Sequence, residues 1–176
     1  MTRAVFLDRD GVINRAVVRQ GRPYPPSSDA ELEYLPGVAE ATEKLSAAGF
    51  RLIVVTNQPD VTTGLQRRDV VEAMHERIRR ELHVDDIKVC YHVDQDTCSC
   101  RKPEPGMLLE AAVNWSIDLR KSYLVGDRWR DIAAGKAAGC KTVLVRSDYD
   151  EKQPDNPDAV VDSLLEASEL ILAGRI

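Results

Sequence analysis

The stretch Ala4-Val5-Phe6-Leu7-Asp8-Arg9-Asp10-Gly11-Val12-Ile13-Asn14 joins a four-residue apolar run to two carboxylates and a glycine. A short continuous apolar run closed by turn residues suits a strand buried on both faces, the kind found in parallel sheets. Residues 52–55, 87–91, 123–125 and 142–145 are runs of the same character, with a candidate edge strand at 159–161. Helical patterns lie between them. Pro36-Gly37 opens one with Val38, Ala41, Leu45 and Ala48 on a single face, ending at Gly49; a longer one covers about 66–83, with Val71, Met74, Ile78 and Leu82 aligned. Pro105 suits the first turn of a third helix carrying Leu108, Leu109 and Ala112, and residues 132–138 and 164–172 supply two more. Strands alternating with helices imply right-handed crossovers, so the expected fold is α/β, an open parallel sheet with helices on both faces. Ligands in such sheets bind at the carboxyl ends of the strands. Residues 20–28, with three prolines, and 147–157 read as loops.

Composition agrees with one soluble domain spanning 1–176. The chain is 43% hydrophobic and 30% charged, with 24 basic against 29 acidic side chains and a formal net charge of −5. No apolar run approaches the roughly 18 residues of a membrane span, and the N-terminal run is too short for a secretory signal, which makes the cytoplasm the expected compartment. A mildly acidic domain without a basic block lacks the footprint of a nucleic-acid binder and is better suited to a small anionic ligand. A monomer with no membrane partner is expected.

Asp8 and Asp10 follow directly on the first strand. Two carboxylates two residues apart suit nucleophilic phosphoryl chemistry, in which one attacks phosphorus and binds a hard cation while the other moves a proton. The same residues also suit an ordinary polar turn. A second cluster is Cys90-Tyr91-His92-Val93-Asp94-Gln95-Asp96-Thr97-Cys98-Ser99-Cys100, which gathers three of the four cysteines with a histidine. Cys90, His92, Cys98 and Cys100 are the ligand set of a tetrahedral structural zinc site, and four protein ligands leave no open position for chemistry. Cys140, in an apolar stretch, reads as a small buried hydrophobe. Because Arg101-Lys102 follow at once, zinc would clamp the loop that carries Lys102.

The Asp-x-Asp-Gly-Val start, Thr56-Asn57-Gln58 after the second strand, Lys102-Pro103 after the third and Gly126-Asp127 after the fourth resemble the four motifs of the haloacid dehalogenase superfamily of phosphatases. They stand in the family's order over roughly residues 3–146. The resemblance implies a Rossmann-like core in which Asp8 is the nucleophile that forms an aspartyl-phosphate and Asp10 is the general acid/base. Thr56 and Lys102 would hold the phosphoryl oxygens. Asp8, the backbone carbonyl of Asp10 and Asp127 would bind Mg2+. Asp131 suits either a hydrogen bond toward the metal site or an ordinary acidic first turn of a helix.

The Cys-x-His and Cys-x-Cys-Arg-Lys-Pro-x-Pro-Gly-Met segment is similar to the zinc-loop subfamily that includes the histidinol-phosphate phosphatase domains, whose members lack a large cap. That resemblance implies a phosphorylated sugar substrate and removal of the 7-phosphate of D-glycero-D-manno-heptose 1,7-bisphosphate, with histidinol phosphate as the alternative. Asn57 and Gln58 would line the sugar-phosphate site, and Arg101 and Arg128 would reach the distal phosphate, which a forked guanidinium suits. Arg19 and Arg22 lie in a loop that contacts substrate in the family but match it less closely. The chain departs from the family after Gln58, where Ser-Gly-Ile-Ala-Arg-Gly is replaced by Pro59-Asp60-Val61-Thr62-Thr63-Gly64, leaving the anomer and the sugar open. A non-catalytic zinc-stabilised phosphosugar-binding module is the competing reading from a different class. It would require the whole Asp8, Asp10, Thr56, Lys102 and Asp127 set to be kept without use.

Overall fold

A computed structural model describes residues 1–176. The first apolar run forms β1 (Arg3–Leu7), whose residues Ala4, Val5, Phe6 and Leu7 have no solvent exposure. Because successive strand residues face opposite ways, Val5 and Leu7 enter one apolar layer while Ala4 and Phe6 enter the other. β4 (Phe50–Asn57) alternates in the same way, sending Leu52 and Val54 to the first layer and Ile53 and Val55 to the second. Helices α1 (Val38–Ala47), α2 (Arg68–Glu81) and α5 (Leu164–Leu172) cover the first layer through Leu45, Met74, Ile78 and Ile171. α3 (Gly106–Trp115) and α4 (Trp129–Ala138) cover the second through Met107, Leu108 and Ala134. Each fully buried Leu, Ile or Val contributes roughly 1.5–3 kcal/mol, so truncating a central side chain such as Phe6 to Ala would cost about 3–5 kcal/mol.

With β5 (Asp86–Cys90), β6 (Tyr123–Gly126), β7 (Lys141–Val145) and β8 (Ala159–Val161), the sheet is six-stranded and parallel throughout, in the order β5-β4-β1-β6-β7-β8. The expected architecture is therefore observed: a Rossmann-like core with helices on both faces. The chain leaves β1 for β4 on one side and later returns to β6 on the other, so the crevice between the ends of these strands is a topological switch point. No helix is long and apolar enough to cross a membrane.

The segment after β1 differs from its sequence reading. β2 (Val17–Arg19) and β3 (Arg22–Tyr24) pair antiparallel around Gln20-Gly21, both with positive φ, at 50° and 74°. That turn matches the twist of a two-residue hairpin. Each strand has only three residues and Pro23 sits within one, so the local pattern reads as loop while register with its neighbour makes it a hairpin. Pro105 is likewise the residue before α3, whose first helical position is Gly106.

Candidate active site

The four motif segments converge at the carboxyl ends of β1, β4, β5 and β6. The Asp8 amide donates to the Val125 carbonyl at 2.9 Å, carrying the parallel pairing one residue past β1. The chain then turns tightly, with the Ile13 amide donating to the Arg9 carbonyl at 2.8 Å. Gly11 sits at φ 91°, and a Cβ there would fall 1.8 Å from Asp127 Oδ2, so only glycine lets this turn approach the fourth motif so closely.

Lys102 ties the motifs together. Its buried ammonium donates to Asp8 Oδ1 at 2.8 Å, to Asp131 Oδ1 at 2.5 Å and to the Val55 carbonyl at 2.8 Å, which uses all three of its protons. Burial alone would lower its pKa, but the carboxylates of Asp131 and Asp8 prevail and hold it above the usual lysine value. Asp131 also accepts the Arg128 amide at 3.0 Å, so it is an acidic residue in the first turn that caps α4, and it holds Lys102 as well, a contact that the sequence reading did not include. Asn57 fixes the lysine's backbone, its amide donating to the Lys102 carbonyl and its carbonyl accepting the Lys102 amide, both at 3.1 Å.

Asp8, Asp127 and Asp131 place carboxylate oxygens within 4.8 Å of one another. Burial first, and then Asp131, push the Asp8 pKa up to about 6 against the pull of Lys102. Burial and the charges of Asp8 and Asp131 raise Asp127 well above the ordinary carboxylate value. Tyr149 donates to Asp127 Oδ2 at 2.7 Å, whereas Asp127 Oδ1 is buried without a hydrogen-bond partner. Asp10 behaves differently. Burial would raise its pKa, but the Arg9 guanidinium and donors from Asn14 (2.9 Å) and Gln58 (2.8 Å) hold it below the ordinary value. Thr56 accepts from Gln58 Nε2 at 2.9 Å.

The residues singled out in the sequence do not all take the same place. Asp8, Asp10, Thr56, Asn57, Lys102 and Arg128 line a cleft of about 510 Å³, while Gln58 lies beneath it as the link between Asp10 and Thr56. Arg101 is not on the cleft wall; its Nε donates to Asp94 at 2.7 Å. Arg22 and Tyr24 from the hairpin, Pro59 and Asp60 after β4, Trp129 and Arg130 from α4, and Asp150 and Glu151 from the loop after β7 also line the cleft. The sequence carried weak signals for two of these: Arg22 lies in the loop already noted, and Arg130 stands two residues after the arginine of Gly-Asp-Arg. Nothing in the local pattern marked Glu151.

In the third-motif loop, Cys90 Sγ lies 3.0 Å from Cys100 Sγ and 3.9 Å from Cys98 Sγ, and His92 Nδ1 lies 3.5 Å from Cys90 Sγ and 3.3 Å from Cys100 Sγ. All four donor atoms fall within 4.8 Å of one another, and none of the cysteines is disulfide-bonded. Cys140 is buried and separate, as expected.

Comparisons with known proteins agree with this geometry. A HAD-hydrolase-like family model matches residues 99–167. The D-glycero-β-D-manno-heptose-1,7-bisphosphate 7-phosphatase of Escherichia coli K12 is 39% identical over 173 residues, covering 89% of this chain and 83% of its own. The enzyme of the same name from Rhodopseudomonas palustris is 37% identical over 148 residues, covering 77% and 79%. The crystal structure of the D,D-heptose 1,7-bisphosphate phosphatase from B. bronchiseptica, complexed with magnesium and phosphate, superimposes with a TM-score of 0.85 at 31% identity, over 98% of this chain and 99% of that one. With motif order, sheet topology and relatives in agreement, the chain belongs to the heptose-bisphosphate phosphatase family of haloacid dehalogenase-like hydrolases.

Proposed function

We propose that this protein is a Mg2+-dependent phosphomonoesterase that removes the 7-phosphate of D-glycero-D-manno-heptose 1,7-bisphosphate. The observation that carries the reading is the Lys102 bridge from Asp8 to Asp131, which joins three motif segments in one buried cluster where carboxylates outnumber the ammonium. Asp8 attacks phosphorus, the bond to the sugar oxygen breaks, and Asp10 delivers a proton to the departing alkoxide. Asp10 then takes a proton from the water that attacks the aspartyl-phosphate, which releases phosphate and restores Asp8. Its depressed pKa suits this second, basic half. Lys102 and Thr56 stabilise the charge that spreads over the phosphoryl oxygens.

The site suits a hard divalent cation. The orphaned Asp127 Oδ1 and the crowding of buried carboxylates are what such an ion relieves. Asp8, Asp127 and the Asp10 carbonyl would hold it, and it would neutralise charge on the phosphoryl group. At the third-motif loop the three thiols and one imidazole, whose donor atoms all lie within 4.8 Å of one another, are a donor set that would suit Zn2+. There the metal would be structural, locking the segment that ends at Lys102.

The test is phosphate release, with Mg2+, from both anomers of heptose 1,7-bisphosphate and from histidinol phosphate. A strong preference for one heptose anomer, lost in Asp8→Asn, is expected. Preference for histidinol phosphate would overturn the substrate, and no turnover on any phosphomonoester would favour a non-catalytic binding module.

A further inference from the structure

Arg9, between the nucleophile and the acid/base, has a side chain with no solvent exposure. A guanidinium carries five N–H donors and stays protonated, so burying it requires acceptors on every side. Two of its nitrogens fork onto Asp10: Nε lies 3.2 Å from Oδ1, and NH2 lies 3.0 Å from each carboxylate oxygen. The third nitrogen, NH1, lies 3.1 Å from Nε2 of His75, a buried residue of α2 some 66 positions along the chain. Since Arg9 must donate, the imidazole must accept at Nε2 and carry its single proton on Nδ1. Burial and the Arg9 charge favour that neutral form.

We propose that His75 is a positioning residue for Asp10, acting through Arg9; the inference rests on the phosphatase reading above. Asn14 and Gln58 each hold one oxygen of Asp10, but Arg9 alone spans both and so sets the plane of the carboxylate. Without an acceptor at position 75, NH1 is a buried charged donor with no partner. The guanidinium then turns toward other oxygens and takes the carboxylate out of line with the leaving group. Small misplacements of a proton donor carry large rate penalties. In the sequence His75 sits beside Met74 on a helix whose apolar face packs the core, which is why periodicity alone hides it.

The experiment compares His75→Leu, which removes the acceptor, with His75→Gln, whose Oε1 can accept from NH1. Each is assayed in the full-length protein with Mg2+ on heptose 1,7-bisphosphate, whose alkoxide needs a proton, and on p-nitrophenyl phosphate, whose phenolate departs without one. For His75→Leu, kcat/KM on the sugar phosphate should fall about 10- to 100-fold, mainly in kcat, while kcat/KM on the aryl phosphate should change less than about threefold. His75→Gln should recover most of the loss. Equal losses on both substrates, no loss on the sugar phosphate, or a His75→Gln as impaired as His75→Leu would each overturn the inference. If His75→Leu does not fold, His75→Asn, too short to reach NH1, replaces it under the same criteria. Wild-type turnover is measured first: its absence on every phosphomonoester overturns the phosphatase reading itself, a result separate from any difference between variants.

Discussion

Arg128 and Glu151 form a forked ion pair at the edge of the cleft. Arg128 Nε lies 3.0 and 3.1 Å from the two carboxylate oxygens, and NH2 lies 2.5 Å from Oε2. This is the geometry in which a guanidinium grips a phosphate, so Glu151 occupies the group that the family resemblance would give to the distal phosphate. If Arg128 takes that phosphate, a bisphosphate must displace Glu151. Glu151→Gln should therefore lower KM for the bisphosphate roughly 3- to 10-fold while leaving KM for a monophosphate unchanged, and Arg128→Ala should raise KM for the bisphosphate by about tenfold or more. Parallel KM measurements on the two substrates check this, and a Glu151→Gln effect equal on both would break the assignment of Arg128 to the distal group.

Asp131 is the second anchor of Lys102. Asp131→Asn leaves a buried ammonium with one carboxylate instead of two and weakens the cap on α4. Breaking one side of a buried ion pair costs on the order of 3 kcal/mol, or roughly 6–12 °C in Tm for a domain of this size. Thermal unfolding should show that drop, and kcat should fall at least about tenfold because Lys102 is no longer held between two charges.

The third-motif loop should carry about one zinc per chain in protein purified under reducing conditions. Cys100→Ser should lose that metal and lower both Tm and kcat, since Arg101 and Lys102 follow the ligand directly. Metal analysis with thermal unfolding is the check. A zinc-free wild type with the same Tm would show that the four donors are merely neighbours.

His75 gives the folded state a pH dependence of definite sign. Burial, then the charges of Arg9 and Arg79, outweigh the opposing pull of Asp10 and press its pKa from 6.5 down to about 3. The unfolded chain therefore takes up this proton first, and stability falls as pH drops through 6.5 toward 3. The loss from this residue alone reaches about 2 kcal/mol by pH 5. Asp8, with its raised pKa, works in the opposite direction, losing stability as pH rises from about 4 to about 6. Comparing wild type with His75→Gln cancels the Asp8 contribution. On going from pH 7 to pH 5 the wild type should lose about 2 kcal/mol of stability relative to the variant, and the same pH dependence in both would mean that His75 is protonated in the fold.

Much of this molecule is legible in short windows of its chain. The apolar runs at 4–7, 52–55 and 142–145 become central strands because continuous β-branched and aliphatic runs can be buried on both faces only in a parallel sheet. The motif residues could be named because each stands at a strand end, where chain direction alone brings them together. The cysteine-histidine set is equally local, spanning eleven residues whose soft donors have few other uses.

What the chain alone left open is which charges meet. Arg101 and Arg128 are equivalent on paper, two arginines beside motif residues. The fold gives Arg101 to Asp94 and brings Arg128 to the cleft wall, where Glu151 meets it. Asp131 reads in the sequence as an acid in the first turn of a helix or as a partner of the metal site, and the fold also gives it Lys102, which arrives from 29 residues away. The hairpin at 17–24 is too short to declare itself and needs its own partner strand to exist. His75 kept the periodicity of a core helix while its ring was claimed by Arg9. Strand runs, turn chemistry and ligand sets are written within a few residues and survive without context. Hydrogen-bond partners separated by dozens of residues are decided by sheet order and helix placement, which exist only once the two apolar layers have closed around β1.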